Sequence, residues 1–205
     1  MTLVTISAYY GAGGSRIAPE LARRLNVPFL GRPPVPELAE PGAEAQAGGE
    51  GFAGGAGRLL SRVVSLAVSW GTPSGLTAEE LLPDHLRREE LDEEVRELAR
   101  GGAGVVLGRA AVVVLRDDPR ALHVLLEGPA EARLRQAMEI EGIDEAEARR
   151  RLARVDRFRR AYVEDLYGVK VDVPGMFHLV LDSTALPPDA CVEVIAVAAR
   201  ARAGT

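Results

Sequence analysis

The sequence predicts an α/β fold in which helices cover both faces of a five-stranded parallel sheet. Short runs of aliphatic residues recur along the chain, and segments with helical spacing separate them. Because these runs do not alternate apolar with polar side chains, each is expected to be buried on both faces, as strands of a parallel sheet are. The five predicted strands are Leu3 to Ser7, Val27 to Leu30, Gly104 to Leu107, Ala121 to Leu126 and Leu179 to Leu181.

The composition favours one globular domain whose main partner is not nucleic acid. Of the 205 residues, 47% are hydrophobic and 27% are charged, and the formal net charge of −5 differs from the basic surplus of nucleic-acid-binding proteins. The single cysteine, Cys191, excludes an internal disulfide. No stretch approaches the ~18 apolar residues that cross a bilayer, and the first residues, MTLVTIS, lack a basic signal-peptide segment. We therefore expect a cytoplasmic protein with no membrane partner.

A glycine-rich turn, residues 11–14, connects the first predicted strand to a helix predicted over Ser15 to Leu25, with Ser15 as its N-cap. Glycines at such a junction let backbone amides approach phosphate oxygens, and the helix N-terminus adds partial positive charge. The P-loop pattern GxxxxGK[ST] is not met, because Gly14 stands at the lysine, Ala8 at the first glycine and Arg16 at the Ser/Thr. The only lysine of the chain is Lys170. The turn alone is equally compatible with a plain connection between strand and helix.

The segment between the second and third predicted strands differs in composition from the rest. Residues 31–57 contain eight glycines and four prolines, which predicts a flexible loop without a packed core. Helical spacing returns over 58–70 and, after a capping box that begins at Thr77, continues to about Arg100. Residues 58–100 are therefore predicted to form a helical insertion.

Four more helices are predicted in the second half of the chain. A short apolar helix follows Gly108-Arg109, a second spans Pro129 to Glu141, and a closing helix spans Ala190 to Ala201. Residues 144–166, which lie between the second and the closing helix, are predicted to form one long arginine-rich helix or a pair of helices. Seven arginines and six acidic residues lie between positions 144 and 165, a mixture that is by itself typical of a solvated helix face.

Four features of the sequence occur in an order that is typical of one enzyme family. They are the glycine turn, Gly108-Arg109 after the third strand, Arg133 after the fourth, and the run Arg154-Val-Asp156-Arg157-Phe-Arg159-Arg160-Ala-Tyr162. Together they resemble the cytidylate kinase-like family, a branch of the P-loop nucleoside-monophosphate kinases, over residues 2–30 and 103–200. The resemblance implies a three-layer α/β/α P-loop kinase fold with strand order 2-3-1-4-5. It also implies one domain over 1–205, with a core of 1–30 and 103–203 and a lid at about 144–170.

The resemblance further implies an ATP- and Mg²⁺-dependent phosphotransferase that acts on nucleotide substrates, with CMP or dCMP as the expected acceptor. No metal ligand from the protein is expected. The acceptor phosphate would be bound by Arg109 and Arg133, because guanidinium groups bind phosphate in a bidentate manner. The donor phosphates would be bound by Gly11, Ala12, Gly13, Gly14, Ser15 and Arg16. The catalytic lid residues would be Arg154, Asp156, Arg157 and Arg159.

Departures from the family pattern leave a second hypothesis open. The family usually has an arginine at position 8 and acidic residues after the second strand and before the last one, whereas this chain has Ala8, Gly31 and His178. A catalytically degenerate kinase fold that acts as a nucleotide-binding or regulatory protein would show such losses, and so would a kinase with an altered acceptor. If the chain is an enzyme, Arg109, Arg133, Arg157 and Arg159 should converge beside the glycine turn.

Overall fold

The computed structural model describes residues 2–31, 88–170, 173 and 175–204. The loop predicted over 31–57, apart from Gly31, and the helix predicted over 58–70 lie outside the described residues. Contacts between Cα atoms divide the chain into two compact units, Met1–Arg32 with Asp92–Thr205, and Pro33–Leu91. The architecture given below is that of the first unit.

Five strands form one parallel sheet in this unit. The order across the sheet is β2-β3-β1-β4-β5, and every neighbouring pair is parallel, so the expected order 2-3-1-4-5 is confirmed. The glycine turn leaves the central strand of this order, and the Gly108-Arg109 turn leaves the strand next to it. The strands are β1 (Leu3–Ala8), β2 (Phe29–Leu30), β3 (Gly104–Leu107), β4 (Ala121–Glu127) and β5 (Leu179–Asp182).

The helices of the described residues are α1 (Gly14–Leu25), α2 (Arg88–Arg100), α3 (Ala111–Val114), α4 (Ala130–Glu141), α5 (Glu145–Tyr167) and α6 (Pro188–Ala203). The arginine-rich segment is a single helix, α5, and the Asp144 side chain caps it by accepting a hydrogen bond from the Glu147 amide at 2.8 Å. The predicted N-cap of α1 is wrong. The helix begins at Gly14, and Gly13 is the N-cap with no side-chain cap, because left-handed backbone at Gly13 (φ +70°) turns the chain into the helix.

Both faces of the sheet are covered, which explains why the strands lack polar alternation. Every residue of β1 is buried. One face packs Val4, Ile6 and Leu126 against α1 and α6. The other face packs Leu3 and Val106 against α2 and α3. The three-layer α/β/α arrangement is therefore confirmed. Among the described residues, no helix has the length and apolar character that crossing a membrane requires.

His123 lies on β4, and it is buried and uncharged. Its Nδ1 is 2.8 Å from Thr5 Oγ1, its backbone N–H donates to His178 Nδ1 at 3.0 Å, and the two imidazole rings stack at 4.9 Å. Burial, helped by the nearby charges of His178 and Arg202, lowers the pKa of His123 from 6.5 to about 4. In the unfolded chain the same ring regains its ordinary pKa.

This shift predicts a loss of stability in acid. Between about pH 6.5 and pH 4, His123 is protonated in the unfolded chain but stays neutral in the folded protein. The free energy of unfolding therefore falls as the pH falls through this window. Urea denaturation of the wild type and of His123→Gln at pH 4 to 8 measures the effect. The variant should show a flatter pH dependence in that window, and carboxylate titration, which is common to both proteins, cancels in the comparison. Equal slopes in the two proteins would contradict the assignment.

Candidate functional site

The glycine turn after β1 is tightly packed. Gly11 and Gly13 have left-handed φ values of +76° and +70°. A Cβ added to Gly11 would lie 2.1 Å from the backbone oxygen of Arg133, and one added to Gly14 would lie 2.7 Å from the Cβ of Ala8. Glycine is therefore required at Gly11 for backbone conformation and for the close approach of α4, and at Gly14 for the close approach of Ala8.

Several backbone amides of the turn remain available for a ligand. The Ala12 amide donates to Tyr9 O at 3.1 Å, and the Arg16 amide donates to Gly13 O at 3.0 Å. By contrast, four other amides of the turn donate no hydrogen bond to any residue that the structure describes; they belong to Gly11, Gly13, Gly14 and Ser15. Because they surround the N-terminus of a twelve-residue helix, they form a suitable environment for an anion. The side chains of Ser15 and Arg16 are exposed at this end.

A buried ion pair joins the turn to α5. Arg133 Nη1 donates to Asp156 Oδ2 at 2.8 Å, and the two side chains are only 9% and 7% exposed. The other carboxylate oxygen of Asp156 accepts the Tyr10 amide at 2.8 Å. Arg133 also donates from Nη1 to Tyr10 O at 2.8 Å and from Nε to Gly128 O at 3.0 Å. This network fixes the position of α5 relative to the turn.

The Tyr10 side chain adds a second connection between the turn and α5, through Glu141. Its hydroxyl donates to Glu141 Oε2 at 2.8 Å, and Arg151 Nη1 donates to the same oxygen at 2.7 Å. Burial, together with the Glu141 carboxylate, raises the pKa of Tyr10 well above its usual range. The phenol therefore stays protonated and keeps donating its hydrogen bond.

Two of the four arginines expected to converge lie together beside the turn. The guanidinium carbons of Arg133 and Arg159 lie 5.0 Å and 4.7 Å from the centre of the Tyr9 ring. Asp156 and Arg159 share the face of α5 that meets the turn because they are three residues apart, and Arg157 is exposed. Arg154 is half-buried elsewhere on the helix.

Arg109 makes a separate set of contacts at the end of β3. Its Nε donates to Gly31 O at 2.6 Å, its Nη1 donates to Glu94 Oε2 at 2.6 Å, and its side chain is 9% exposed. Gly108, Arg109 and Ala110 all have left-handed backbone, with φ values of +73°, +55° and +48°. Such conformations are costly for residues other than glycine, and they are common at functional sites.

The strain at Arg109 predicts an unusual order of stabilities. Alanine normally stabilises a chain relative to glycine, but here Arg109→Gly should be more stable than Arg109→Ala by about 1 kcal/mol, because glycine tolerates φ +55°. Both variants lose the same ion pair with Glu94, so the comparison isolates the backbone. Chemical denaturation of the two variants measures the difference, and a more stable Arg109→Ala would show that the backbone here is relaxed.

Three residues at the site escaped the sequence-based prediction. Ser183 Oγ donates to Ala12 O at 2.8 Å and so joins the glycine turn to the end of β5. Glu94 is the partner of Arg109, and Tyr9 lies beneath two arginines. A usable signal existed for Tyr9, since two of the four tyrosines of the chain stand together directly before the glycine turn. Ser183 lies in the run Asp182-Ser183-Thr184, which belongs to the motifs that resemble the family but was expected only to end a strand and start a loop.

Comparisons with known proteins identify similar sequences and structures. A model of the cytidylate kinase-like family matches residues 3–185. A cytidylate kinase of Methanopyrus kandleri is 29% identical over 117 residues, which are 53% of this chain and 61% of that protein. An uncharacterized protein from Eubacterium ventriosum superposes with a TM-score of 0.67 at 18% identity, over 98% of this chain and 99% of the other. A sugar kinase from Janibacter superposes with a TM-score of 0.50 at 20% identity, over 96% and 93%. The two solved structures share the fold with this chain.

Proposed function

The chain belongs to the cytidylate kinase-like family, and we propose that it transfers the γ-phosphoryl group of ATP to a nucleoside monophosphate, with CMP or dCMP as the first expected acceptor. The observation that carries the proposal is the cluster of Arg133, Asp156 and Arg159 beside a glycine turn with available amides. Phosphoryl transfer needs positioning and positive charge around the moving group, and this cluster supplies both. The cytidylate kinase of Methanopyrus kandleri supports the choice of acceptor.

On the donor side, the four available amides would donate to the phosphates of ATP. Arg16, exposed in the first turn of α1, would supply positive charge in a loop that has no lysine. An oxygen of the acceptor phosphate attacks the γ-phosphorus, the bond between that phosphorus and the bridging oxygen breaks, and ADP leaves. Arg159 would stabilise the charge on the phosphoryl group during this transfer.

On the acceptor side, Arg109 would bind the phosphate of the nucleoside monophosphate after releasing Glu94. The Glu94 side chain is half-exposed, so this exchange gives up an ion pair that contributes little stability. Arg133 differs, because its pair with Asp156 is buried and expensive to break. It would keep that pair and reach the acceptor phosphate through Nη2, which makes no hydrogen bond with the described residues.

Magnesium would enter as part of the substrate Mg·ATP. Among the described residues, no group of three or more His, Cys, Asp or Glu side chains is placed to hold a metal ion. Both oxygens of Asp156 are already engaged with Arg133 and the Tyr10 amide. We expect a Mg²⁺ ion that is coordinated mainly by phosphate oxygens and water, as this ion commonly is in kinases.

The test is ADP release from Mg·ATP with a panel of nucleoside monophosphates. We expect CMP- or dCMP-dependent turnover in the wild type, and a loss on the order of 10²–10³-fold in Arg109→Ala. Arg23→Ala is the matched control, since it removes an exposed arginine from the far end of α1 and should leave turnover unchanged. If no acceptor supports turnover although calorimetry detects ATP binding, the proposal fails and a nucleotide-binding regulatory protein is favoured.

A further inference from the structure

Tyr9 is the point at which two of the arginines meet. It is the first residue after β1, and both the Arg133 and the Arg159 guanidinium groups lie over its ring, at 5.0 Å and 4.7 Å from the ring centre. Arg133 comes from α4 and Arg159 from α5, so a single aromatic side chain contacts cations from two helices. The face of an aromatic ring is negative and attracts a guanidinium at this distance.

The Tyr9 ring has a rigid base. The Tyr9 amide donates to Leu126 O on β4 at 3.1 Å, and the Tyr9 carbonyl accepts the Ala12 amide at 3.1 Å. The next residue is held in turn, since the Tyr10 amide donates to Asp156. The backbone on both sides of the ring is thus bonded to the sheet, the glycine turn and α5. Rigid support of this kind keeps side chains at a site within a narrow range of positions.

The Tyr9 ring also reduces the electrostatic repulsion between the two guanidinium groups. Two guanidinium groups that share one ring repel each other, and the carboxylate of Asp156 hydrogen-bonds to Arg133. The negative ring face offsets part of this repulsion and helps to keep both cations in place. An arginine that is held in this way has already lost much of its side-chain conformational entropy. The entropic cost of ordering it when an anion binds is therefore smaller.

We propose that Tyr9 is a positioning residue that holds Arg133 and Arg159 over the glycine turn through cation–π contacts, ready for the phosphates of the substrate. This inference rests on the proposed function. Tyr9 does not touch the reacting atoms, and it acts through the two arginines. A purely structural role would instead depend on the size and shape of the ring and not on its charge distribution.

A fluorination series separates these two roles. Position 9 is changed by Tyr9→Phe and then filled with 4-fluoro-, 3,5-difluoro- and 3,4,5-trifluorophenylalanine. Fluorine changes the size of the ring little, but it withdraws electrons and progressively weakens the negative face. We expect kcat/KM for Mg·ATP to fall stepwise from Tyr9→Phe to the trifluoro form, about 3- to 30-fold in total, while circular dichroism shows every variant folded at the assay temperature. A flat kcat/KM across the series overturns the proposal.

Two further measurements fix the interpretation. In an Arg159→Ala background the series should become flatter, and an unchanged stepwise fall there overturns the role of Tyr9 toward Arg159. Calorimetric binding of inorganic tripolyphosphate gives a readout that needs no acceptor. Stepwise weakening of that binding without turnover on any nucleoside monophosphate overturns the proposed reaction but supports the role of Tyr9. Failure of the wild type to bind tripolyphosphate overturns both.

Discussion

Asp156→Ala should lower the free energy of unfolding by about 3–5 kcal/mol, a large part of the ~5–15 kcal/mol that stabilises a typical domain. The substitution leaves the Arg133 guanidinium, which is only 9% exposed, without its carboxylate. It also removes the acceptor of the Tyr10 amide. An uncompensated buried charge carries a large desolvation cost, and the loss of a partly buried hydrogen bond adds to it. Urea denaturation followed by circular dichroism measures the loss.

Matched variants separate charge from packing at this pair. Asp156→Asn keeps the size of the side chain and an oxygen that can accept the Tyr10 amide, so its loss of stability should be smaller than that of Asp156→Ala. The double variant Arg133→Met with Asp156→Leu removes both charges, and it should be more stable than Asp156→Ala because no buried charge is left alone. If Asp156→Ala unfolds within about 1 kcal/mol of the wild type, the pair is not buried in solution as described.

Gly11→Ala should destabilise the protein by about 3 kcal/mol or more and abolish any phosphate binding at the turn. Its left-handed φ of +76° alone costs an alanine about 1–2 kcal/mol. In addition, the new methyl group would lie 2.1 Å from the backbone oxygen of Arg133. A backbone atom cannot rotate away, so the glycine turn or α4 must move. Denaturation and calorimetry with Mg·ATP measure the two effects.

Gly142→Ala is the matched control for this clash. Gly142 ends α4 with a similar left-handed φ of +67°, but a Cβ there would meet nothing within 4 Å. We expect it to cost only the backbone term, about 1 kcal/mol, and to leave ATP binding intact. The difference between the two variants isolates the contact between Gly11 and Arg133. Equal losses in the two variants would show that the turn and α4 separate more easily than the structure indicates.

Much of the fold could be predicted because strands that are buried on both faces appear in the sequence as short, unbroken apolar runs. Runs such as LVTIS and GVVL lack polar alternation wherever helices cover both sides of the sheet. The N-cap of α1 was misplaced by two residues, because Ser15 fits the preferences of an N-cap while the left-handed Gly13 determines the turn. Propensity describes single residues, whereas the position of the turn depends on what packs against it.

The candidate site was predicted less completely, because its contacts join distant parts of the chain. Asp156 and the Arg133 with which it pairs are 23 residues apart, and the Tyr10 amide that it accepts is 146 residues away. By themselves, the acids and arginines of α5 are typical of a solvated helix face, and only the family resemblance pointed to a site. Tyr9 was not predicted at all, because two helices bring their arginines to its ring only in the folded chain.

The sequence by itself determined the strands, most of the helices and the family, since hydrophobic spacing and ordered motifs are properties of neighbouring residues. Only the tertiary structure decided which charges are buried together and which remain in solvent. Arg157 and Arg159 differ by two positions in the same helix, yet Arg157 is exposed and Arg159 lies over Tyr9. The helical rotation of about 200° between them turns one toward water and the other toward the glycine turn, and the partner of each is set by packing across the fold.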